Sequence, residues 1–412
     1  MSPANELKAR AQDALDADVK SIIGLSEFIH GNPEVGFQET QASSALVAQL
    51  RQFDFNVDEG VGGLSTAFRA TTGNGSLHIV ICAEYDALPG IGHACGHNLI
   101  AAAALGAARS LQPICADLDL KVSVIGTPAE EGGGGKILLL QEGVFDGANA
   151  AVMVHPAAVE RDAMRTLAVA VLRCDYYGVA AHAAARPEAG ISASAALALA
   201  QTGIAYLREH FHATDRVHGI VVDGGDAPNI VPEHSAGRFF VRAASAERLA
   251  VLEDKVRNVF RGAATMTGTR VKITKTGPSF TDLRTHEAMA DLWRANANNI
   301  GRNSLHVQDT DPVASTDMGN VSYAMPTIHP LIHLDAGGAN IHEPAFAQAA
   351  RGAAANKVIT DGVTLLANTI IDVALDGDLA RDLKSRSYRV ANEPERAYLD
   401  EDWTKPEEFG SL

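Results

Sequence analysis

Carboxylates and a histidine follow three predicted strands at the point where each strand ends. The strands and the residues that follow them are 77–82 with Asp86, 120–125 with Glu130 and Glu131, and 150–154 with His155. Ligands of open α/β sheets bind beyond the carboxyl ends of the strands. One such residue would most often be an ordinary exposed group. Three together predict a polar site at one edge of a sheet.

Cys95 and His97 stand two residues apart at the start of an Ala-rich helix predicted over 99–111. A thiolate and an imidazole together suit zinc or another borderline-soft divalent metal. The start of a helix also lowers the pKa of a thiol, which would favour the ligating form. Alone, this spacing fits a buried cysteine beside a structural histidine equally well. It indicates a metal site only in combination with the polar residues at the strand ends.

The adjacent acids Glu130 and Glu131 are the most informative pair, because adjacent side chains diverge and rarely do one job. A hydrolytic metal site needs one carboxylate on the metal and one free to take a proton from water. The following stretch, Gly132 to Lys136, is not a phosphate-binding P-loop, because Glu130 stands where the first Gly should be and Ile137 follows the Lys. We expect this glycine run to let the backbone pass close to the site.

Strands that alternate with helices in the first half predict an α/β layer with a mostly parallel central sheet flanked by helices. Near Leu167 the pattern changes to strand–helix–strand–strand–helix–strand, which suits an inserted ferredoxin-like α+β domain. The predicted divisions are a catalytic domain at 1–167 and 279–380, an inserted domain at 168–278 and a polar surface tail at 381–412.

The composition excludes several classes of protein. The formal net charge of −16 argues against binding to a phosphate backbone, and the 46% hydrophobic content argues against disorder. The small-apolar run from Leu99 to Ala108 is about half the ~20 residues of a membrane span. The first residues, MSPANELKAR, lack the apolar core of a signal peptide, and four cysteines in a long chain do not indicate a disulfide framework. We therefore expect a cytoplasmic protein with reduced thiols.

Taken together, these motifs resemble the dinuclear metal-dependent aminoacylase and carboxypeptidase family, metallopeptidase family M-twenty. The nearest branch is that of the p-aminobenzoyl-glutamate hydrolases and aminoacylase-like dipeptidases within the amidohydrolase subgroup. The matching stretches run in the family's order from about 30 to 375 and are AEYDALPGIGHACGHN (83–98), GTPAEEGGGG (126–135), VHP (154–156), YGVAAHAAARPEAG (177–190), NIVPE (229–233), STDMGNVSY (315–323) and IHEP (341–344).

The resemblance implies a role for each matching residue. Two metal sites would be formed by Cys95 as the bridging ligand together with His97, Glu131, His155 and His342. Glu130 would be the general base that takes a proton from the attacking water and returns it to the leaving amine. Asp86 would orient a metal ligand. His182 would reach the active site of a partner subunit and stabilise the oxyanion, and Asn229 and Arg242 would hold the substrate near its carboxylate.

Three residue choices stay open. His329 and His333 compete with His342, and Arg238 lies on the same strand face as Arg242. Asp317 fits either an acid that supports the metal ligands or a loop cap.

Two positions depart from the commoner family pattern. Position 84 is Glu where many relatives have a metal-binding His, and position 98 is Asn where HACGHD is common. The first departure leaves open whether both metal positions bind equally tightly.

The predicted activity is hydrolysis of the amide bond of an N-acyl or N-aroyl amino acid or a small dipeptide, with two divalent ions of zinc, manganese or cobalt. An alternative is a hydrolytic deaminase or deacetylase that acts on an aromatic amine or another small C–N substrate. A different class is a non-catalytic binding protein on an enzyme-like scaffold, which the presence of Glu130 and the proposed ligands disfavours. The resemblance also implies a homodimer through the inserted domain.

Overall fold

The computed structural model describes residues 2–389. These residues divide into two compact units, one of residues 2–165 and 283–389 and one of Thr166–Asp282. The sequence placed the corresponding boundaries at 167/168 and 278/279.

The first unit contains a six-stranded sheet and a separate strand pair. Its strands are β1 (Asn56–Glu59), β2 (Phe68–Thr72), β3 (Leu77–Ala83), β4 (Leu120–Gly126), β5 (Ala150–Val152), β6 (His155–Ala157), β11 (Thr327–Ile328) and β12 (Leu331–His333). The large sheet has the order β1-β2-β4-β3-β5-β11, and β6 pairs with β12. The pairs β4–β3, β3–β5 and β5–β11 are parallel, whereas β1 and β2 are antiparallel additions at one edge.

Helices cover both faces of this sheet. They are α1 (Pro3–Gly31), α2 (Thr40–Gln52), α3 (His97–Leu111), α4 (Gly135–Gln141), α7 (Glu287–Asn299), α8 (Met318–Ala324), α9 (Pro344–Ala349), α10 (Ala353–Leu375) and α11 (Gly377–Lys384). On β3, Ile79 and Ile81 pack in the core with α1, α3 and α10, while Val80 and Cys82 face the opposite core with α4 and α8. Alternate side chains of a strand point to opposite faces, so a strand covered on both sides is a nearly continuous apolar run.

The second unit is the predicted ferredoxin-like α+β arrangement. Its elements are β7 (Ala168–Tyr177), α5 (Ala193–Leu207), β8 (Arg216–Asp223), β9 (His234–Ala243), α6 (Ala246–Thr267) and β10 (Arg270–Lys275). The antiparallel sheet has the order β10-β7-β9-β8. Every second residue of β7, from Ala168 to Tyr176, is buried in the core with α5 and α6, as a half-buried strand requires.

Helix α10 is long and apolar enough to cross a membrane by length and composition, and 67% of its apolar window is buried inside the fold. Val363 lies in the same core as Ala103 of α3 and Ile22 of α1. That burial is typical of a core helix.

Over 381–389 the segment predicted as a surface tail is mostly exposed, but it begins in a helix and has two buried anchors. Arg381 belongs to helix α11, and Leu383 is fully buried. Tyr388 is also buried, and its backbone N–H donates to the carbonyl of Ala148. The remainder of that prediction, 390–412, lies outside the described residues.

The backbone of the glycine run after Glu131 packs closely against the residues just before Glu130. A Cβ at Gly135 would lie 1.8 Å from the carbonyl oxygen of Pro128, and a Cβ at Gly133 would lie 2.6 Å from the Cβ of Ala129. The loop that carries Glu130 therefore folds tightly against the start of α4.

We expect Gly135→Ala to lower the free energy of unfolding by about 1–3 kcal/mol, because the added methyl group must displace backbone. Urea denaturation measures this change. Gly262→Ala is the control, since nothing lies within 4 Å of a Cβ at that exposed position of α6. That change should stabilise the chain by about 0.5–1 kcal/mol. Equal effects of the two substitutions would contradict the close packing.

Candidate metal centre

The predicted strand ends meet at one edge of the large sheet. Strand β3 lies between β4 and β5, so the chain leaves β3 for one neighbour and later returns to the other side. This is the switch point at which α/β sheets bind their ligands. Asp86 follows β3, Glu130 and Glu131 follow β4, and His155 follows β5 at this edge.

Cys95, His97 and Glu131 form one group of potential ligands whose donor atoms lie within 4.8 Å of one another. The thiol of Cys95 lies 2.7 Å from Glu131 Oε1, and Nε2 of His342 lies 3.4 Å from the same oxygen. Four of the five predicted metal ligands are therefore gathered here. His342, rather than His329 or His333, is the histidine that contacts Glu131.

His97 and His155 form a second group together with Glu84, again with donor atoms within 4.8 Å. The two histidine rings meet edge to face, with centroids 5.9 Å apart. Nδ1 of His155 lies 2.6 Å from the carbonyl of Pro156, which leaves its Nε2 free to bind a cation. Burial lowers the pKa of His155 to about 4, so its ring is neutral, as a ligand must be.

Asp86 fits the predicted orienting role. Its carboxylate accepts from Nδ1 of His97 at 2.9 Å and from the backbone N–H of Glu131 at 3.0 Å. Burial acts to raise the pKa of Asp86, but His97 and the Glu131 amide outweigh it and hold the pKa below its usual range. Such a carboxylate fixes the ring orientation and leaves Nε2 of His97 for a metal.

The prediction that the helix start lowers the pKa of Cys95 is wrong. Cys95 is only 5% exposed, and burial together with the carboxylate of Glu131 raises the pKa of its thiol well above the usual value. A coordinating cation removes such a proton. Thiolate formation at Cys95 is therefore coupled to metal binding.

The backbone near the ligands is conformationally strained. His342 has φ 67° and Ala129, next to Glu130, has φ 58°, although neither is glycine. The His342 N–H donates to the carbonyl of Ala94 at 3.0 Å, which ties its loop to the Cys95 segment. Residues in such conformations cluster at functional sites, where the surrounding structure holds them.

Glu130 points into a third group, with Glu84 and Asp317. Burial, with the negative charges of Glu84, Glu131 and Asp317, raises the pKa of Glu130 well above its usual range. The two adjacent glutamates have thus diverged as expected. Glu131 joins the sulfur-containing group, and Glu130 does not.

Lys136 was missed by the sequence reasoning, which only rejected it as part of a P-loop. Its fully buried ammonium donates to Glu84 Oε1 and, at 2.6 Å, to Asp317 Oδ1. Asp317 Oδ2 also accepts the backbone N–H of Lys136 at 3.0 Å. Asp317 is therefore an acid buried beside the metal ligands, and its side chain makes no cap bond at α8. The available signal was a single lysine inside the buried apolar helix α4.

The predicted substrate residues belong to the second unit. His182 and Asn229 lie on neighbouring segments, since the N–H of Ala183 donates to the carbonyl of Asn229. Nδ1 of the exposed His182 ring accepts N–H groups of Ala184 and Ala185 at 3.2 and 3.1 Å. The neutral ring must then carry its proton on Nε2, which suits donation to an oxyanion.

Arg242 and Arg238 share the face of β9 that points away from the core of Phe239 and Val241. The guanidinium of Arg242 lies over the ring of Phe240 at 5.4 Å. The choice of Arg242 over Arg238 stays a prediction.

The donor chemistry of the first unit fits divalent metal ions. Nε2 of His97 and Oε2 of Glu84 are buried and have no hydrogen-bond partner among the described residues. Buried polar atoms without partners need an explanation, and one cation bound by both side chains would supply it here. A set of thiol, imidazole and carboxylate donors is the one that zinc and similar cations prefer.

Comparison with known proteins agrees with this chemistry. Residues 80–370 match the model of Peptidase family M20/M25/M40. The Xaa-Arg dipeptidase of Mus musculus is 36% identical over 89% of this chain and 89% of its own length. One of the p-aminobenzoyl-glutamate hydrolase subunits of Escherichia coli (strain K12) is 28% identical over 92% and 94%. A dinuclear metal binding peptidase of the M20 family from Bacillus subtilis has the same fold, with TM-score 0.66, 20% identity and coverage of 87% and 99%.

The gathered donor groups, the neighbouring carboxylate of Glu130 and the family match lead to one conclusion. The chain belongs to Peptidase family M20/M25/M40 and is a metal-dependent hydrolase that cleaves amide C–N bonds.

Proposed function

We propose that this enzyme hydrolyses the amide bond of dipeptides and related N-acyl amino acids at a centre of two divalent metal ions. The observation that carries the proposal is the division of the ligands into two groups that share His97, with Glu130 close by. We favour dipeptides over p-aminobenzoyl-glutamate as substrates because the dipeptidase relative is 36% identical to this chain and the p-aminobenzoyl-glutamate hydrolase subunit is 28% identical.

The residues of the chain divide the work. Together, the five predicted ligands Cys95, His97, Glu131, His155 and His342 would hold the two ions. The ions, when bound, polarise the amide carbonyl and favour hydroxide formation near neutral pH. Glu130 takes the proton of the attacking water and returns it to the leaving amine. Nε2–H of His182 donates to the oxyanion, and Arg242 with Asn229 binds the substrate carboxylate, for which the guanidinium fork is suited.

A substrate panel with metal analysis of the same sample tests this proposal. The panel contains Xaa-Arg and β-alanyl dipeptides, N-acyl amino acids, p-aminobenzoyl-glutamate and aromatic amines, with Zn²⁺, Mn²⁺ or Co²⁺ supplied. We expect two ions per chain and a kcat/KM for the best dipeptide at least ~10-fold above that for p-aminobenzoyl-glutamate. Preference for p-aminobenzoyl-glutamate or an amine, or fewer than two ions, would contradict the proposal.

We further propose that two copies of the chain pair through the second unit. Strand β8 is an edge of its sheet, and Ile220, Val221 and Val222 on it are 61, 48 and 41% exposed. An edge strand with exposed apolar residues is a template for pairing with another chain.

We also propose that the protein is cytoplasmic. The support for this location is that its four cysteines are free and buried.

If His182 acts in the site of a partner, mixtures of two inactive variants should regain activity. Glu130→Gln and His182→Ala are each expected to be nearly inactive. After subunit exchange in a 1:1 mixture, about half of the closed two-fold dimers contain one chain of each variant. Each mixed dimer has one site with both residues intact, so about a quarter of the wild-type activity should be recovered. Hydrolysis of the best dipeptide measures the recovery.

The control is a mixture of Glu130→Gln with Cys95→Ser, two residues of the same unit, which should stay inactive. A His182→Ala mixture that also stays inactive after verified exchange would show that His182 acts within its own chain. Light scattering of the wild-type chain separates a homodimer from a monomer or an assembly with a second kind of subunit.

A further inference from the structure

Glu84 stands next to the proposed metal centre without a role in it. It directly follows β3, its side chain is fully buried, and its two oxygens have different surroundings. Oε1 accepts from the Lys136 ammonium. Oε2 has no hydrogen-bond partner in residues 2–389 and lies 3.5 Å from Nε2 of His97, which also lacks one.

We propose that Glu84 is a further metal ligand, which binds through Oε2 the same ion as His97 and His155. The inference rests on the two-metal centre proposed above. The donor atoms of these three residues lie within 4.8 Å of one another, and all three side chains are buried. Two buried, unpartnered donor atoms that face each other across 3.5 Å are satisfied together by one cation between their side chains.

Lys136 determines which oxygen of Glu84 is available. Because its ammonium holds Oε1 and is itself fixed by Asp317, the carboxylate cannot turn to present the other oxygen. Hydrogen bonds of this kind to a ligating group fix its orientation and tune the metal. Lys136 is therefore a positioning residue, and its charge offsets one of the two nearby carboxylates.

A purely structural ion pair is the competing explanation for the same contacts. It accounts for Oε1, but it leaves Oε2 without a hydrogen bond and 3.5 Å from Nε2 of His97, which is too long a contact to satisfy a buried charged oxygen. The two explanations make different predictions for the metal affinity of a Glu84 variant. If Glu84 is a ligand, one ion binds more weakly, whereas a structural ion pair leaves both affinities unchanged. Metal affinity can be measured without an activity assay.

The experiment compares Zn²⁺ binding by the full chain and by Glu84→Gln, using competition with a chelator and elemental analysis after dialysis. We expect the wild-type chain to retain two ions. In the variant, one ion should be bound normally and the other at least ~10-fold more weakly, since even partners of metal ligands contribute about 10–100-fold. Co²⁺ spectra should show that the thiolate-to-metal absorption of Cys95 is retained.

Asp162→Asn is the matched control. Asp162 is a fully buried carboxylate of the same unit, but it contacts Arg294 and His306 instead of metal ligands. It should lower stability without changing metal affinity. Glu84→Asp, which keeps the charge on a shorter side chain, replaces Glu84→Gln if that variant does not fold, and the same weakening is expected.

The outcomes separate the two proposals. A wild-type chain that does not bind two ions overturns the two-metal centre. A wild-type chain that binds two, together with a Glu84 variant whose two affinities are unchanged within about 3-fold, overturns the role of Glu84 alone.

Discussion

Replacing Glu130 with Gln should lower kcat by about 10²–10⁴-fold while both metal ions stay bound. The amide side chain has nearly the same shape but cannot accept a proton from water. The side chain of Glu130 lies with Glu84 and Asp317 and not in the group of Cys95, His97 and Glu131. The substitution therefore removes none of the five predicted metal ligands. Steady-state hydrolysis of the best dipeptide and elemental analysis of the same sample measure the two quantities.

The loss of activity should not come from unfolding. Glu130 lies with Glu84 and Asp317 in a buried group of three carboxylates that contains one cation, Lys136. Removal of one negative charge relieves repulsion there. We therefore expect the melting temperature of Glu130→Gln to equal or exceed that of the wild-type chain.

Glu131→Gln is the matched control for this prediction, because it makes the same chemical change one residue away. Glu131 contacts both Cys95 and His342, so this variant should lose metal as well as activity. Near-normal turnover of Glu130→Gln, or equal metal loss in both variants, would show that the two roles have been assigned wrongly.

The divergence of the two glutamate side chains could be predicted from the sequence, because adjacent side chains at a strand end point in different directions. The same local reasoning predicted β3, β4 and β7 from apolar runs and placed Cys95 and His97 at the start of α3. It missed β1 and β2, since short polar strands such as Asn56–Glu59 carry no periodic signal.

Lys136, Glu84 and Asp317 could not be connected from the sequence. Glu84 follows β3, Lys136 lies in the first turn of α4 and Asp317 precedes α8, so only the tertiary fold brings them together. Substrate contacts are harder still, because His182, Asn229 and Arg242 belong to another unit and their roles come from the family resemblance. Local patterns therefore identified the side chains that gather at this sheet edge better than the charges buried beside them.

Lys136 lies in a buried cluster of charges on which the stability of the first unit should depend. Its ammonium and the carboxylates of Glu84 and Asp317 are all fully buried. The pKa of Lys136 is raised well above its usual value, because the attraction of Asp317 and Glu84 outweighs burial, which acts to lower it. Loss of one partner leaves uncompensated buried charge, which typically costs about 3–5 kcal/mol.

We therefore expect Lys136→Met to lower the free energy of unfolding of the first unit by about 3–5 kcal/mol. Urea denaturation followed by hydrogen exchange of the amides in β3 measures this change. Lys357→Met is the control, since Lys357 pairs with Asp361 at the surface and its side chain is 69% exposed. That variant should lose less than about 1 kcal/mol.

A double variant separates lost charge balance from lost packing. Asp317→Asn removes one carboxylate, whose pKa burial raises to about 6 although Lys136 acts to lower it. If charge balance dominates, Lys136→Met with Asp317→Asn should be more stable than Lys136→Met alone by at least about 1 kcal/mol, which appears as a non-additive cycle. Strict additivity would assign the loss to packing of the lysine stem. A loss below about 1 kcal/mol in the single variant would mean that the buried carboxylates do not depend on Lys136 for their charge balance.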